Sequence, residues 1–215
     1  TSSRAGNIAI WERSRSVPAQ PGGAKGGDPL RWTLKQDIDL TKTLPPADIW
    51  AVDIDRAKQT IAVGLGDGRI CFLRLDDLDH PFCPEESARG RVKSVKFLSD
   101  KPILLSAGND AKVTIWDVDT SSRTAKPLPF ALEHDNAIWD LDVSPDGSLL
   151  ATADFDGSVR VYQTGTWRLL NKIAADTFAS RSGSRRLQPG VSADDLNALR
   201  TVRFNSASTM LVTSS

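Results

Sequence analysis

The sequence predicts an all-β fold built from repeated units of about four short antiparallel strands. Residues 134–162, HDNAIWDLDVSPDGSLLATADFDGSVRVY, contain three stretches of strand length separated by turn sequences. Trp139, Leu141 and Val143 alternate with aspartates, which gives a strand with one buried and one solvated face. A unit of this size cannot bury its apolar face alone, so we expect neighbouring units to cover it.

Two turn sequences separate the strands of this unit. SPDG at 144–147 combines Pro, which presets φ, with Asp, which bonds its own backbone, and Gly, which accepts positive φ. Asp156-Gly157 is a two-residue hairpin signal that precedes a strand containing Val159 and Val161. The unit is therefore predicted to be a meander of short antiparallel strands.

The same unit recurs along the chain. Its copies are the first strands WAVDI (50–54), KSVKF (93–97), WDLDV (139–143) and RTVRF (200–204), and the third strands AGNIAIW (5–11), DGRICFL (67–73) and DAKVTIW (110–116). The third-strand ends Leu73, Trp116 and Tyr162 lie 43 and 46 residues apart. That period is typical of a propeller blade. The outer spacings of 62 and 61 residues indicate an insertion in each.

Four features in register resemble WD40 repeats. They are Trp116-Asp117 after a buried strand, His134 before the next first strand, the SPDG turn, and the Asp before each third strand. The resemblance covers most of the chain outside the two insertions. It implies a β-propeller of four-stranded antiparallel blades, in which first strands line a central channel and fourth strands lie at the outer edge.

The chain is predicted to be one propeller segment, 1–215, holding about four blades. The predicted parts are the third strand of a split blade at 5–11, blades at about 48–75, 91–118 and 137–163, the first and second strands of the split blade at 198–215, and insertions at 12–29 and 174–197. Fourth strands are expected near Arg31–Leu40, Lys126–Leu132 and Trp167–Ile173.

Three arrangements stay open for the assembled ring, because the resemblance implies that such propellers usually have more blades, commonly seven. The chain closes a small ring on itself, two chains share an eight-bladed ring, or the chain is part of a longer propeller. Unpaired edge strands at the ends are a liability unless something pairs with them. We expect an incomplete propeller that is completed by a second copy or by sequence outside residues 1–215.

Composition excludes several classes of function. With 40% hydrophobic and 25% charged residues the chain is ordinary globular protein, and its formal charge of zero does not favour nucleic acid or a membrane surface. No apolar run approaches ~18 residues, so we expect no membrane span. Cys71 and Cys83 are not expected to form a disulfide framework. This fits a reducing compartment, and we predict a cytoplasmic location with the nucleus as the alternative.

The starting positions of the four first strands are Trp50, Lys93, Trp139 and Arg200. The resemblance implies that they surround the upper rim of the channel. Two aromatic and two cationic side chains suit a peptide that carries acidic and apolar groups. The alternative, that both tryptophans simply pack between blades, stays equally open.

The insertion 174–197 contains a second candidate site in the arginines Arg181, Arg185 and Arg186. These side chains are suited to phosphate or an acidic partner. Only Phe178 lies near them for stacking, which favours a solvated loop. A nucleic-acid-associated or phosphate-binding factor is therefore the alternative function.

The resemblance also implies structural hydrogen-bond sets within blades. The fuller set is His134, Thr152, Asp156 and Tyr162, and a second contains Ser106, Asp110 and Trp116, with Ala88 where the histidine is expected. A Ser-His-Asp triad is the alternative for His134, but no G-x-S-x-G motif occurs. We therefore expect these residues to be structural.

No enzymatic site is predicted. His80 and Cys83 are at most half of a metal site, and we expect them in a surface loop. The Gly-rich tract within 12–29 lacks the Gly-Lys-Ser/Thr ending of a phosphate loop. No catalytic residue, metal or cofactor is expected. The sequence indicates a non-catalytic interaction scaffold that binds a protein or peptide through the rim and the insertions, as a module of a larger scaffold or sensor protein.

Overall fold

The computed structural model describes residues 6–15, 30–42, 47–55, 59–86, 88–98, 101–173 and 198–214. Within these ranges the only helix is a single 3-10 turn at Leu40–Lys42. The strands described are β1 Asn7–Arg15, β2 Leu30–Asp39, β3 Ile49–Asp55, β4 Thr60–Leu65, β5 Ile70–Arg74, β6 Asp77–Phe82, β7 Val92–Leu98, β8 Ile103–Gly108, β9 Lys112–Asp119, β10 Thr124–Glu133, β11 Ile138–Val143, β12 Leu149–Asp154, β13 Val159–Gln163, β14 Leu169–Ile173, β15 Thr201–Phe204 and β16 Leu211–Ser214.

Twelve of these strands form three complete blades of four antiparallel strands each. The first blade is β3–β6, the second β7–β10 and the third β11–β14, and the strands follow one another across each sheet in chain order. β1 and β2 form one half-blade, and β15 and β16 form another. The predicted all-β class with four-stranded antiparallel blades is thereby confirmed.

The outer strand β6 forms where sequence analysis expected a surface loop. That expectation is wrong for His80, which lies within β6. Phe82 stacks on Phe72 of β5 with ring centroids 5.0 Å apart, which holds the segment against the sheet. Pro81 is tolerated because β6 is an outer edge, where a missing N–H donor breaks no ladder bond.

Cys71 and Cys83 form a disulfide, which corrects the expectation that these cysteines stay reduced. The pairing of Phe72 with Phe82 brings the two adjoining cysteines together, with Cα atoms 4.2 Å apart. The sequence did not indicate the bond because β6 itself was not foreseen. The premise of the reducing-compartment argument therefore fails, and the cytoplasmic location stays a prediction without it.

The expected insertion 12–29 begins later than foreseen. β1 runs through Arg15 and β2 begins at Leu30, with Arg13 paired to Trp32. Residues 12–15 are thus strand. The rest of that insertion, and the whole of 174–197, lie outside the described residues.

Hydrophobic side chains fill the spaces between neighbouring blades. Between the first and second blades lie Ala62, Ile70, Phe72, Val95, Leu104 and Trp116. Between the second and third lie Leu105, Ile115, Leu141, Leu150 and Tyr162. Full burial of one large apolar side chain contributes about 1.5–3 kcal/mol. Each blade is therefore stabilised mainly by the neighbours that flank it.

Both ends of the blade series are open. On β3, Val52 and Ile54 are 43% and 41% exposed, whereas the matched Val95 of β7 is 2% exposed. At the other end, Val212 of β16 is 65% exposed, and Met210, which immediately precedes β16, is 63% exposed. Among the described strands β1 and β16 do not pair, so these strands close no ring.

Candidate protein-interaction face

The first strands β3, β7, β11 and β15 are successive neighbours, and their starting positions share one rim. Trp50, Lys93 and Trp139 are each the second residue of their strand, and Arg200 immediately precedes β15. In each complete blade the ladder skips this residue, as where the pairing passes directly from Ile49 to Ala51. Each is thus the extra residue of a β-bulge, which turns its side chain out of the regular ladder.

Trp139 is the centre of the rim. The ammonium of Lys93 lies 3.0 Å from the centroid of its indole, and the guanidinium carbon of Arg200 lies 5.0 Å from it. Phe155 stacks on the indole at 6.2 Å. These contacts are cation–π interactions on a ring that Phe155 supports from its own blade. The structure therefore brings three of the four predicted residues into one cluster.

The environment of Lys93 disfavours the protonated form of its side chain. Burial, together with the neighbouring cations Arg91 and Arg200, lowers the pKa of Lys93 from 10.5 to about 8. The ammonium is protonated at neutral pH, but the native protein holds it among like charges. An anion placed beside it would relieve that repulsion.

Trp50 lies in a separate contact. Its indole is 38% exposed and lies under the guanidinium of Arg91, whose carbon is 3.9 Å from the ring centroid. Gly66 leaves room for the indole, because a Cβ there would lie 3.3 Å from the indole nitrogen. Sequence analysis missed Arg91, although it lies two residues before Lys93. Arg181, Arg185 and Arg186, the other predicted contacts, lie outside the described residues.

The two tryptophans of the rim differ in their exposure. Trp50 is exposed to solvent on one side, whereas Trp139 is half-buried between side chains of neighbouring blades. We define the cation–indole rim as Trp50, Arg91, Lys93, Trp139 and Arg200, and we use that name below.

A ladder of alternating charges follows the rim along the first strands. The ammonium of Lys96 lies 3.9 Å from the Asp53 carboxylate and 3.6 Å from that of Asp142. Asp53 accepts the Phe97 N–H at 2.8 Å, and Asp142 accepts the Phe204 N–H at 2.9 Å. Each carboxylate therefore joins its own strand to the next strand. Burial raises the pKa of Asp53 despite these partners.

Asp140 makes a second link between first strands. It accepts hydrogen bonds from the Ser94 hydroxyl at 2.9 Å and from the Val202 N–H at 3.1 Å, and it pairs with Arg203. It thus ties β11 to both neighbours. Sequence analysis expected the aspartates of this strand on its solvated face, and this is wrong for Asp140, which its links to both neighbouring strands bury. The signal for Asp53 and Asp142 was the alternation of Asp, Lys, Asp and Arg at the fourth position of the aligned first strands.

Part of the fuller predicted hydrogen-bond set comes together around His134. Its Nε2 lies 2.9 Å from the Thr152 hydroxyl and 3.4 Å from the Tyr162 hydroxyl, and its Nδ1 lies 3.0 Å from the Leu132 carbonyl oxygen. The carboxylate within 3.7 Å of this ring is that of Asp154, not that of Asp156. Asp156 instead accepts the Ser158 N–H in the hairpin turn at 2.9 Å.

The second set is smaller. The Trp116 indole N–H donates to the Ser106 hydroxyl at 2.8 Å, and both residues are buried. Asp110 accepts the Lys112 N–H within its own turn at 3.4 Å. Ala88 has the backbone contact of the expected histidine but not its side chain. Its N–H donates to the Gly68 carbonyl, just as the His134 N–H donates to the Ala111 carbonyl. Ala88 and His134 are therefore matched positions of two blades, although their side chains differ.

The His134 ring is enclosed by the protein. Its side chain is 0% exposed, and burial lowers its pKa to about 4. A general base must reach the proton that it abstracts, and no substrate reaches a fully buried ring. His80 pairs with Asp77 at 2.6 Å, and the Cys83 sulfur is bound to Cys71. The described ranges contain no group of three or more possible metal ligands.

The fold and the rim define a class of protein. It is a protein of repeated propeller blades that carries a side-chain cluster at one end of its first strands. A family model for the WD domain, G-beta repeat, matches residues 83–117 and 126–163. The first range contains β7 and β8, and the second contains β11 and β12. The chain therefore contains WD40 repeats at these two positions, as its sequence motifs predict.

Curated relatives are similar over part of the chain. Eukaryotic translation initiation factor 3 subunit I of Neurospora crassa is 28% identical over 116 residues, covering 52% of this chain and 32% of the relative. Protein HIR1 of Eremothecium gossypii is 26% identical over 157 residues, covering 59% and 19%. The transcriptional corepressor LEUNIG_HOMOLOG of Arabidopsis thaliana is 34% identical over 142 residues, covering 60% and 17%.

The chain spans at most 32% of the length of these three relatives. Their names describe a subunit of an initiation factor and a corepressor, and those roles belong to the relatives. In the described ranges, no helix has the length and apolar character needed to cross a bilayer.

Proposed function

We propose that this chain is a non-catalytic WD40 interaction platform that binds a protein or peptide partner through the cation–indole rim. It acts as a module of a larger scaffold or sensor protein. The observation that carries the proposal is the rim itself, where bulges at matched positions turn aromatic and cationic side chains out of three adjoining ladders.

The composition of the rim supports binding of a protein. Trp and Arg are enriched among the residues that dominate binding energy at protein interfaces, and they act best on a rigid support. Here the support is a set of first strands joined to one another by the carboxylates of Asp53, Asp140 and Asp142. A prearranged surface loses little conformational entropy on docking, so more of its contact energy appears as affinity.

The comparisons support a binding role in a coarser way. Two WD40 repeats are matched, and one relative is named as a subunit of a larger factor. A fold family by itself does not define a partner, so the rim residues carry the finer proposal.

The proposal is tested by affinity capture from a nuclease-treated cell lysate with mass spectrometry of the retained proteins. The parent chain is compared with a Trp50→Ala/Trp139→Ala/Arg200→Ala variant. The matched control is Lys126→Ala/Phe130→Ala on the outer strand β10, where Phe130 is 45% exposed. Thermal melts verify that all three proteins fold.

We expect protein partners that the parent and the control retain and the rim variant loses. Equal capture by all three proteins would contradict the proposal and would move the site to the insertions or outer edges. Capture that disappears with nuclease treatment would instead favour the alternative function, a nucleic-acid-associated factor that uses Arg181, Arg185 and Arg186.

A further inference from the structure

Three cationic side chains of the rim form no ion pair with a carboxylate in the part of the chain that the structure describes. They are Arg91, Lys93 and Arg200, and the ion pairs of the described residues all involve other groups. The charged groups that act on Lys93 are Arg91 and Arg200. Both are positive, so they repel the Lys93 ammonium. Like charges held together in a native structure are a cost that a bound anion would remove.

Two buried polar atoms of the rim have no hydrogen-bond partner among the described residues. They are Nε of Arg91 and Nε1 of Trp139. Both atoms carry N–H groups that only donate, so the group that would satisfy them is an acceptor. A buried donor left without an acceptor is unfavourable, and native structures contain few of them.

The next charged register along the first strands shows which acceptor this surface uses. Lys96 lies between the carboxylates of Asp53 and Asp142, and Arg203 pairs with Asp140. Cations of the first strands are thus matched there by carboxylates from adjoining strands. The four starting positions are Trp, Lys, Trp and Arg, so none of these four positions of the rim carries an acid that would match the cations.

We infer that the cation–indole rim is a receptor for a carboxylate side chain in an acidic segment of the partner protein. The carboxylate lies among Arg91, Lys93 and Arg200, and the indoles of Trp50 and Trp139 pack against the apolar residues that flank it. This inference rests on the proposed function and names the chemistry of the partner that the rim selects.

The inference is tested with fluorescein-labelled peptides and fluorescence anisotropy in low salt. The probe is Gly-Ser-Glu-Leu-Glu-Ser-Gly. Its matched controls replace both Glu residues by Gln or by phosphoserine. We expect the Glu peptide to bind at least about tenfold more tightly than the Gln peptide, and its affinity to fall as salt rises.

Variants of the full chain assign the effect to the rim. Lys93→Gln and Arg200→Gln are each expected to weaken binding of the Glu peptide about tenfold or more. Lys93→Arg keeps both the charge and a cation that can lie over the Trp139 indole, and it is expected to stay within about threefold of the parent. The matched control Lys126→Gln removes an exposed lysine on β10 and is expected to change nothing. Melting curves verify that each variant folds.

The outcomes separate this inference from the proposed function. Equal binding of the Glu and Gln peptides, or of the parent and Lys93→Gln, would overturn the inference. A protein partner that the parent captures and the Trp50→Ala/Trp139→Ala/Arg200→Ala variant loses would still leave the platform standing. Tighter binding of the phosphoserine peptide than of the Glu peptide would overturn the carboxylate assignment in favour of a phosphoryl group.

Discussion

At the scale of the residue, the least satisfied group in the described core is the Asp154 carboxyl. Both of its oxygens are buried without a hydrogen-bond partner, and it lies 3.7 Å from His134 and 3.7 Å from the Arg160 Nε. Burial raises the pKa of Asp154 from 3.8 to about 7, because the nearby arginine only partly offsets the loss of solvation. The ionised form is therefore the disfavoured one.

This shift predicts a pH-dependent effect of Asp154→Asn. Between pH 3.8 and about 7 the folded chain holds a proton that the unfolded chain has released, so the contribution of Asp154 to stability falls as pH rises. Asn cannot ionise. We expect the melting temperature of the variant relative to the parent to be higher at pH 8 than at pH 5, by a difference on the order of 5 °C.

The control for this measurement is Asp146→Asn. Hydrogen bonds from Ser144 and Ser148 lower the pKa of Asp146 to about 2, so this carboxylate is ionised at both pH values. Its replacement is expected to change the melting temperature equally at pH 5 and pH 8. A pH-independent effect of Asp154→Asn would contradict the assignment of a buried, neutral carboxyl.

A second residue-scale prediction concerns Gly68, whose φ is +96°. A Cβ at this position would lie 2.2 Å from the Ala88 carbonyl oxygen, which is backbone and cannot move alone. We expect Gly68→Ala to destabilise the chain by more than about 2 kcal/mol, since a steric clash adds to the cost of positive φ. Urea unfolding measures the difference.

Gly147 supplies the matched comparison for Gly68. Its φ is +70°, but a Cβ there would meet nothing within 4 Å. Gly147→Ala is therefore expected to cost only about 1 kcal/mol from the backbone conformation. Equal losses for the two variants would show that the turn of Gly68 is not packed against Ala88.

At the scale of the element, the disulfide joins the third strand of the first blade to the end of its outer strand β6. β6 has few backbone links to β5, whose register with it is irregular between Phe72 and Arg74. The bond closes a loop of 12 residues, and such cross-links contribute about 3 kcal/mol by restricting the unfolded chain.

Reduction is therefore expected to destabilise the parent chain. We expect a reducing agent to lower the melting temperature of the parent and to leave that of a Cys71→Ala/Cys83→Ala variant unchanged. Ala is used because Cys71 is fully buried in the apolar core, where a serine hydroxyl would add a cost of its own. Free-thiol titration of the unfolded parent checks the bond directly. Two free thiols in the purified oxidised protein would contradict the Cys71–Cys83 pairing.

The elements that the sequence predicted best are those defined by the repeat. Because the repeats can be aligned, the strands on both sides of each turn can be placed from the sequence. The alignment also puts Lys93, Trp139 and Arg200 at matched positions of successive first strands, so their proximity could be predicted. β6 was missed because Pro81 and the surrounding turn residues hide a strand that is held by Phe82. The Cys71–Cys83 bond was missed for the same reason.

Two features of the site could not be predicted from the sequence and are visible only in the structure. The bulges at Trp50, Lys93 and Trp139 are not visible in an alternating pattern, and they decide which way these side chains point. Asp154 replaces the expected Asp156 beside His134, because Asp156 is engaged with its own hairpin turn. Repeat register gives strand positions, but local backbone geometry decides which of two neighbouring carboxylates turns inward.

At the scale of the whole molecule, the open ends predict association. Val52 and Ile54 at one end and Met210 and Val212 at the other expose apolar surface, whereas Val95 and Leu105, which match Val52 and Val212 in the second blade, are buried. We expect light scattering to give a mass above that of the 23.3 kDa chain, from a second copy that completes the propeller. Val212→Lys is expected to lower that mass by charging one end.

A monomeric mass at all concentrations would contradict completion by a second copy. Completion by sequence outside residues 1–215 would then be the arrangement that remains, because the described strands close no ring. The outer-strand variant Phe130→Lys is the control, since Phe130 is exposed away from both open ends and its charge is expected to leave the mass unchanged.

The most direct test of the rim as a binding surface is photo-crosslinking in cell lysate. Trp50→p-benzoylphenylalanine places the photoreactive group on the rim, and Phe130→p-benzoylphenylalanine places the same group on the outer strand β10. We predict that the rim position forms protein adducts and that the added substitutions Lys93→Gln/Arg200→Gln abolish them. Adducts from the outer strand are expected to be unaffected by these two substitutions. Adducts formed only from the outer strand, or rim adducts unaffected by loss of Lys93 and Arg200, would contradict a partner held by the cation–indole rim.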